Sequence, residues 1–467
     1  MKYQNNIQIA TGNHAVLTRG PSEAPLAPGE GLRSSLLAPL GRAGLEVRDR
    51  LINSPAVRTV LSRWIRFRAQ EPGGDDPQAL ARSIERLCTA ARLAPTPAMM
   101  ERVEEEILRR VQRLDATRLE WGRLLPDFHS RTLEKAVILK PRMSEREKGV
   151  LFISFGNQWV RLLGLHNLQE LARSYTLVLA PGWSPPHDLI NYVFPRSYPD
   201  AVFSLISNRR DLETLPRLSR GYRVVPLYAS SWVNPDFFRP LPFPERDIDI
   251  IMVANFSRIK RHFAFFKTLR KMPSHLNVVL IGQDQDGRTW DTIYKEARYY
   301  HVHKRLTILR NVPYRGVAEA LCRSRVSLIL SRREGSCVVV AESLFANTPV
   351  GMLADAHVGS RAFINESTGC LLEHGDCSGR LRDFLARAAE YSPREWAERN
   401  ISCQRSTAIL NEAIRSHMLA AGQEWTRDLA PLCWCPDPRL VDPADHAAMR
   451  DARADLKDRF GLVIGTD

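Results

Sequence analysis

The chain has 467 residues, of which 44% are hydrophobic and 25% are charged, enough to bury two or more domain cores. No run reaches the roughly 18 uninterrupted apolar residues that a membrane-spanning helix needs, and the first twenty residues lack the apolar segment of a secretory signal. We therefore expect a cytoplasmic protein.

The formal net charge of +14 predicts an anionic partner: nucleic acid, lipid headgroups or a phosphorylated substrate. Nucleic acid is the least supported because no Lys/Arg block with interleaved aromatic residues is present, so we expect no nucleic-acid partner.

The eight cysteines are scattered along the chain, and none of their spacings is that of a zinc site. We expect free thiols, no metal and no cofactor. The Cys-Trp-Cys segment at 433–435 could bind metal or oxidise, but an ordinary apolar corner is the preferred interpretation.

The first 134 residues are predicted to be a partly disordered, helical N-terminal extension. Residues 1 to about 53 are rich in Pro, Gly, Ser and Leu without a sustained period, which is typical of a poorly ordered or loosely packed leader. A longer helix is expected over 96–125, because Thr96 can cap it and Pro97 suits its first position.

A second helix of this extension is expected over residues 55–70, with an apolar side and a basic side. Its apolar residues are Val57, Val60, Leu61, Trp64 and Ile65, and its basic residues are Arg58, Arg63, Arg66 and Arg68. Two roles remain open: the apolar side packs on the helix at 96–125, or the helix attaches the protein peripherally to an anionic membrane surface.

From residue 135 onward, short β-branched runs alternate with helical stretches, which indicates parallel sheets built from βα units. The first set of expected strands is 135–140, 149–155, 175–180, 201–207 and 222–228. The proline-rich stretch 234–247 has the composition of a linker, so we place the first lobe, the acceptor side, at 135–240.

The alternation then restarts with a second set of expected strands, 248–254, 276–282, 305–309, 326–331 and 348–353. We place the second lobe, the donor side, at 241–390, followed by C-terminal helices and a tail over 391–467. The predicted fold is α/β, with two facing Rossmann-like lobes. Ligands of such sheets bind at the carboxyl ends of the strands, in the cleft.

Two glutamates eight positions apart follow the strand expected at 326–331. Glu334 lies in the loop at the carboxyl end of that strand, and Gly335 and Ser336 lead into a helix that contains Glu342. The free N–H groups at the start of this helix form an anion site. A carboxylate and a phosphate-binding helix end are thus expected side by side.

A basic loop follows the first strand of the same lobe and supplies Arg258, Lys260 and Arg261. Its cations can neutralise the charge that develops on a diphosphate leaving group. This combination predicts a site for a nucleotide-activated donor.

These residues resemble the retaining nucleotide-sugar glycosyltransferases of family 4, which have the GT-B fold and a glutamate-x7-glutamate motif. The block from Glu334 and Gly335 through Glu342 to "LFANTPVGM" is similar to the family's motif, and the segment 363–376 is similar to the one that follows it. The resemblance covers about 149–390 and is stronger in the second lobe.

The resemblance implies a role for each matching position. Glu334 would contact the donor sugar, Glu342 would bond the ribose hydroxyls, and Lys260 would hold the diphosphate. Asn255 stands where the family has an arginine, so Arg258 or Arg261 would substitute for it. The full predicted donor-binding set is Arg258, Lys260, Gly335, Ser336, Cys337, Val338 and Glu342, with Glu334 and Lys260 as catalytic residues.

In the first lobe, two strand exits offer polar groups to an acceptor. These acceptor-side residues are Gly156, Asn157, Trp183 and His187. The expected function is transfer of a sugar from a nucleoside diphosphate donor to a saccharide, lipid-linked or small-molecule acceptor. Two alternatives remain: a nucleotide-sugar epimerase or hydrolase, and a catalytically weak scaffold at a membrane surface.

Overall fold

The computed structural model of the protein describes residues 30–465 except 75, 183–186, 374, 376 and 436, with side chains from residue 38 onward. The α-helices are α1 Glu30–Asn53, α2 Pro55–Arg68, α3 Pro77–Leu93, α4 Pro97–Arg113, α5 Trp121–Leu124, α6 Gly156–Trp159, α7 Leu168–Ser174, α8 Leu189–Ser197, α9 Asp211–Leu218, α10 His262–Leu269, α11 Trp290–Tyr299, α12 Tyr314–Cys322, α13 Val338–Phe345, α14 Ser378–Ala386, α15 Pro393–Asn400, α16 Cys403–Ala420, α17 Pro443–Ala448 and α18 Arg450–Phe460. The strands are β1 Thr132–Leu133, β2 Ala136–Lys140, β3 Gly149–Ser154, β4 Tyr175–Ala180, β5 Val202–Ile206, β6 Tyr222–Tyr228, β7 Ile248–Val253, β8 Val278–Gly282, β9 Leu306–Arg310, β10 Ser324–Ile329, β11 Val350–Leu353, β12 Gly369–Leu372, β13 Leu432–Trp434, β14 Pro438–Leu440 and β15 Val463–Ile464. No helix among these is both long and apolar enough to cross a membrane.

The first lobe is built on a five-stranded sheet in the order β2-β3-β4-β5-β6. Strands β3 to β6 run parallel, and the residues of β3, β4 and β5 are all buried, as expected for strands covered on both faces. The expectation of a parallel strand at 135–140 is wrong, because β2 pairs with β3 in the antiparallel sense. The connection between Lys140 and Gly149 is too short for the crossover that a parallel pair requires.

The second lobe is built on a six-stranded sheet in the order β12-β11-β10-β7-β8-β9, in which every pair is parallel. β7 and β10 are direct neighbours, with Ser327 opposite Ile251. The loops that follow these two strands therefore leave the same edge of the sheet side by side. Together with the first lobe, this sheet confirms the predicted α/β fold of two Rossmann-like lobes preceded by helices.

The N-terminal helices divide between the two lobes. α1 lies on the second lobe, where Glu46 pairs with Lys267 at 2.7 Å and Asp49 pairs with Arg261 at 2.8 Å. The expectation of a loosely packed leader up to residue 53 is therefore wrong for residues 42–49, where Arg42, Glu46 and Asp49 bond to the second lobe. The helix predicted over 96–125 is also shorter than expected. It starts as predicted, with the Thr96 hydroxyl accepting the Met99 N–H, but α4 ends at Arg113.

The C-terminal segment returns to the first lobe. Leu410, Ile414 and Met418 of α16 lie in the same apolar core as β3 and β4. Cys433 and Trp434 belong to β13 and Cys435 follows it. Cys403, Cys433 and Cys435 are buried in a small cluster of free thiols against Tyr314. The described residues of the C-terminal segment thus contact the first lobe through α16 and the second lobe through Tyr314.

Candidate functional site

The site is centred on an ion pair between the loops after β7 and β10. Lys260 ends a short 3-10 turn, Arg258–Lys260, and Glu334 follows β10 by five residues. Lys260 Nζ lies 2.5 Å from Glu334 Oε2, and their side chains are 13% and 2% exposed. Burial lowers the pKa of Lys260, but the Glu334 carboxylate more than offsets this effect, so the net shift is upward. Lys260 therefore carries a proton and a positive charge in the cleft.

The second carboxylate oxygen of Glu334 is not satisfied. Glu334 Oε1 is buried and has no hydrogen-bond partner among the described residues. Leaving a buried acceptor unpaired costs about 1–3 kcal/mol, so such an atom is expected where a ligand supplies the missing donor. The loop itself is held in place, because the Glu334 N–H donates to the His357 carbonyl at 3.1 Å.

The N-terminus of α13 lies directly after Glu334. Cys337, the residue before the helix, has a φ of 48° and makes no side-chain cap, so the first N–H groups of the helix have no capping side chain. The Ser336 hydroxyl accepts the Ser230 N–H at 2.9 Å and lies 2.6 Å from the Ser230 hydroxyl. Ser336, which we predicted to bind the donor, thus also joins α13 to the turn that follows the first-lobe sheet.

Glu342 lies in the second turn of α13 and is 8% exposed. Burial raises its pKa to about 7, although the facing Tyr314 hydroxyl acts in the opposite direction. Burial also raises the pKa of the Cys337 thiol, and the Glu334 and Glu342 carboxylates raise it further. Both glutamates are therefore near enough to the start of α13 to act on the Cys337 thiol.

Tyr314 is a site residue that the sequence analysis missed. It is the first residue of α12, and it follows β9 at the same edge of the sheet as the predicted loops. Its buried hydroxyl faces Glu342. The position after a strand was the available signal, but a tyrosine there is usually a packing residue.

The two candidate arginines have different surroundings. The Arg261 guanidinium binds both oxygens of Asp49 at 2.8 Å and donates to the Leu330 carbonyl at 3.0 Å. Arg261 is thus committed to holding α1 against the second lobe, which argues against its role as the substituting arginine. Arg258 is exposed at the start of the Lys260 turn, so it is the arginine that can approach a diphosphate.

The residues predicted to contact the acceptor differ in their exposure. Gly156 and Asn157 begin α6 after β3, and Asn157 is exposed. Trp183 lies outside the described residues. His187 is 1% exposed, and its Nε2 is 3.2 Å from Met100 Sδ and 3.4 Å from Glu104 Oε1 of α4. Burial, with Arg210 and Arg92, lowers the His187 pKa to about 3, so this neutral imidazole has no surface to offer an acceptor.

Residues 233–394 match the family model of the glycosyl transferases group 1. The match covers the second-lobe sheet, including Lys260, Glu334 and Glu342, and supports an enzyme that transfers a sugar. A comparison with curated protein sequences gives no match.

Several solved structures resemble the chain at low identity. TarM is 11% identical with a TM-score of 0.46, over 57% of this chain and 54% of that chain. Sucrose-phosphate synthase from Thermosynechococcus elongatus is 15% identical with a TM-score of 0.45, over 71% and 82%. Anabaena Alr3699/HepE in complex with UDP is 11% identical with a TM-score of 0.47, over 73% and 98%. The chain thus spans about half the length of TarM.

Proposed function

We propose that the protein transfers a sugar from a nucleoside diphosphate sugar to an acceptor hydroxyl, with retention of the anomeric configuration. The observation that carries this proposal is the Lys260–Glu334 pair with its unpaired buried oxygen, at neighbouring strand ends of the lobe that matches the group 1 glycosyl transferases. A cation for a phosphate and an acceptor atom for a sugar hydroxyl lie side by side there.

The positive groups of the site suit the diphosphate. When the donor enters, the Lys260 ammonium can exchange its contact with Glu334 for one with a phosphate oxygen. Exposed Arg258 and the uncapped N-terminus of α13 add positive potential nearby. These groups stabilise the charge that grows on the leaving diphosphate, and the proposal assigns no metal ion to the site.

Glu334 orients the sugar in this proposal. Its Oε1 accepts a hydrogen bond from a sugar hydroxyl, while Glu342 and Tyr314 are the polar groups for the ribose hydroxyls. The bond between the anomeric carbon and the phosphate oxygen breaks, and the acceptor oxygen bonds to the same face of that carbon. The proton of the acceptor hydroxyl passes to the leaving phosphate, so no protein nucleophile is required.

The donor is identified first, by thermal shift with UDP-, GDP- and ADP-sugars, since a ligand of the native state raises the unfolding temperature. Transfer products are then examined by NMR for the configuration at the anomeric carbon. The proposal predicts a glycosylated acceptor of retained configuration. An inverted product contradicts retention, a free or epimerised sugar formed equally with and without acceptors favours the hydrolase or epimerase, and donor binding without turnover favours the scaffold.

A further inference from the structure

Helices α1 and α2 expose a large amount of apolar surface. Phe67 is 72% exposed and Trp64 is 56% exposed, although both are large apolar side chains of the kind that proteins usually bury. The exposed apolar side chains of the two helices are Leu40, Val47, Leu51, Ile52, Val60, Leu61, Trp64 and Phe67. Exposed apolar side chains concentrated in this way on two consecutive helices indicate an interaction site.

On α1 the exposed residues form an ordered pattern. Leu40, Gly44, Val47 and Leu51 are separated by three or four residues, so they lie in one stripe along the helix.

Helical geometry places Arg50 on one flank of the α1 stripe and Arg48 on the other, and both are exposed. The opposite side of the helix carries Glu46 and Asp49, which are bound to the second lobe. The stripe of α1 therefore faces away from the protein.

α2 repeats the pattern. Val60, Trp64 and Phe67 form its exposed stripe, and the exposed Arg63 and Arg68 flank it.

The inner side of α2 carries Arg58, Ser62 and Ile65 and packs on α3. The Ser62 hydroxyl donates to the Ala90 carbonyl at 2.8 Å, and the buried Arg58 donates to the Arg92 carbonyl at 2.6 Å. The exposed residues Val60 and Trp64 are therefore not packed on α4, whereas Ile65 of the predicted apolar side does pack on the core that contains Ile107 of α4, so the packing alternative holds only in part.

Two of the four arginines predicted on the basic side are not available to a partner. Arg58 is buried, and Arg66 pairs with Glu106 at 2.8 Å.

Among the described side chains of α1 and α2, the exposed charged groups are all positive. α2 contains no acidic residue, and the carboxylates of α1 among the described side chains, Glu46 and Asp49, are held in ion pairs against the second lobe. The two apolar stripes are therefore flanked by exposed arginines alone: Arg48, Arg50, Arg63 and Arg68.

We propose that α1 and α2 together form a docking face for an anionic lipid bilayer, with both helices lying in the headgroup region. Their apolar stripes would enter the acyl boundary, while the flanking arginines reach the lipid phosphates through their flexible stems. Trp64 fits this interface, because an indole has an apolar body and a polar N–H. A protein partner would need its own acidic rim, whereas an anionic bilayer supplies negative charge all around both stripes.

The docking face is close to the site. The inner side of α1 binds Arg261, the residue after Lys260, so one helix diameter, roughly 10 Å, separates the face from the donor loop. The docked protein would hold its donor loop just above the headgroups. This inference concerns attachment alone and does not depend on sugar transfer.

Co-sedimentation of the full chain with vesicles tests the proposal. We expect binding to vesicles of phosphatidylcholine with one-quarter phosphatidylglycerol, weak binding to pure phosphatidylcholine, and release at high salt. The triple variant Arg48→Gln/Arg50→Gln/Arg63→Gln should bind the anionic vesicles ~100-fold more weakly, and Trp64→Ser/Phe67→Ser at least ~10-fold more weakly.

A matched control removes the same charge elsewhere. Arg382, Arg415 and Arg450 are exposed on α14, α16 and α18, and their change to glutamine should leave vesicle binding within about twofold of the unchanged protein. Circular dichroism and melting temperature establish that each variant is folded.

Equal binding to neutral and anionic vesicles, or equal losses in the two triple variants, overturns the proposal. So does a dimer in sedimentation velocity that Trp64→Ser/Phe67→Ser dissociates, because the face would then bind a second copy.

Discussion

The two lobes each contain a buried lysine–glutamate pair, and the two pairs are satisfied to different degrees. In the first lobe Lys140 Nζ lies 2.7 Å from Glu147 Oε1, with side chains 0% and 2% exposed. Both Glu147 oxygens have further partners: Oε1 accepts the Thr426 N–H at 2.7 Å, and Oε2 accepts the Thr426 hydroxyl at 2.7 Å. Lys140 also donates to the Lys148 carbonyl and lies 4.0 Å from the Trp425 ring centroid.

In the second lobe Glu334 Oε1 has no such partner among the described residues. The ion-pair chemistry is the same in both lobes, so the ion pair by itself does not distinguish a structural site from a binding site. The complete hydrogen bonding of Glu147 fits a group that holds the fold, and the incomplete bonding of Glu334, at the strand ends of the matched lobe, fits a group whose last hydrogen bond comes from a ligand.

Glu147→Gln should give the largest effect, a loss of about 3–5 kcal/mol in the free energy of unfolding, because it leaves Lys140 buried without a counter-charge. Urea denaturation measures this loss. Turnover per folded molecule should stay unchanged, since the pair lies outside the site. Glu145→Gln, an exposed neighbour, is the control. A loss below ~1 kcal/mol for Glu147→Gln would show that the first pair is not structural.

Glu334→Gln should lower turnover by at least ~100-fold, the scale seen when one preorganised contact to a transition state is removed. Its free energy of unfolding should change less than that of Glu147→Gln, because Glu334 makes fewer contacts. Initial rates with the identified donor, corrected for the folded fraction, measure the effect. Glu366→Gln, exposed in the same lobe, should keep full activity. Near-normal turnover in folded Glu334→Gln would remove Glu334 from the site.

Lys260→Met should weaken binding of the nucleoside diphosphate by ~10- to 100-fold, since a charge-assisted contact to phosphate contributes roughly 1.5–3 kcal/mol. Titration calorimetry with the diphosphate alone isolates this contact from the sugar. Lys295→Met, an exposed lysine of α11, should bind as the unchanged protein does. Equal diphosphate affinities of the unchanged protein, Lys260→Met and Lys295→Met would refute the assignment of the donor loop.

The smallest effect, taken per pH unit, is the pH dependence that Glu342 gives to stability. The Glu342 pKa is raised to about 7 in the folded state, so the protonated form is favoured there. Its contribution to stability is full below the ordinary pKa of about 4.5 and is lost as the pH rises through 7, by at most ~1.4 kcal/mol per pH unit. Between pH 5 and 8, the stability of Glu342→Gln relative to the unchanged protein should increase. A constant difference across this range would contradict the raised pKa.

Glu147 should behave in the opposite way. Burial raises the pKa of Glu147, but the bonds from Lys140 and Thr426 outweigh burial and lower it to about 2. Its stabilising contribution should therefore be lost as the pH falls from about 4.5 through 2. Below pH 4.5 the free energy of unfolding of Glu147→Gln should therefore depend less on pH than that of the unchanged protein. Glu342→Gln should keep the pH dependence of the unchanged protein in this range.

The sequence predicted five of the six strands of the second sheet, β7 to β11, because these strands are largely buried and read as β-branched runs, but it missed β12. It placed Lys260 and Glu334 at strand ends, and the adjacency of β7 and β10 brings them into contact. It could not show that Arg261 is held by Asp49, because that bond joins residues 212 positions apart. The same limit applies to His187, whose burial depends on α4, and to Tyr314, which faces Glu342 and packs on cysteines of the C-terminal segment.

A crystal structure of the protein with a bound nucleoside diphosphate sugar tests the central claim most directly. Our account predicts a sugar hydroxyl within hydrogen-bond distance, roughly 2.6–3.2 Å, of Glu334 Oε1, and a phosphate oxygen at Lys260 Nζ. A donor bound with its sugar away from Glu334, while Oε1 remains buried and unpaired, would contradict it.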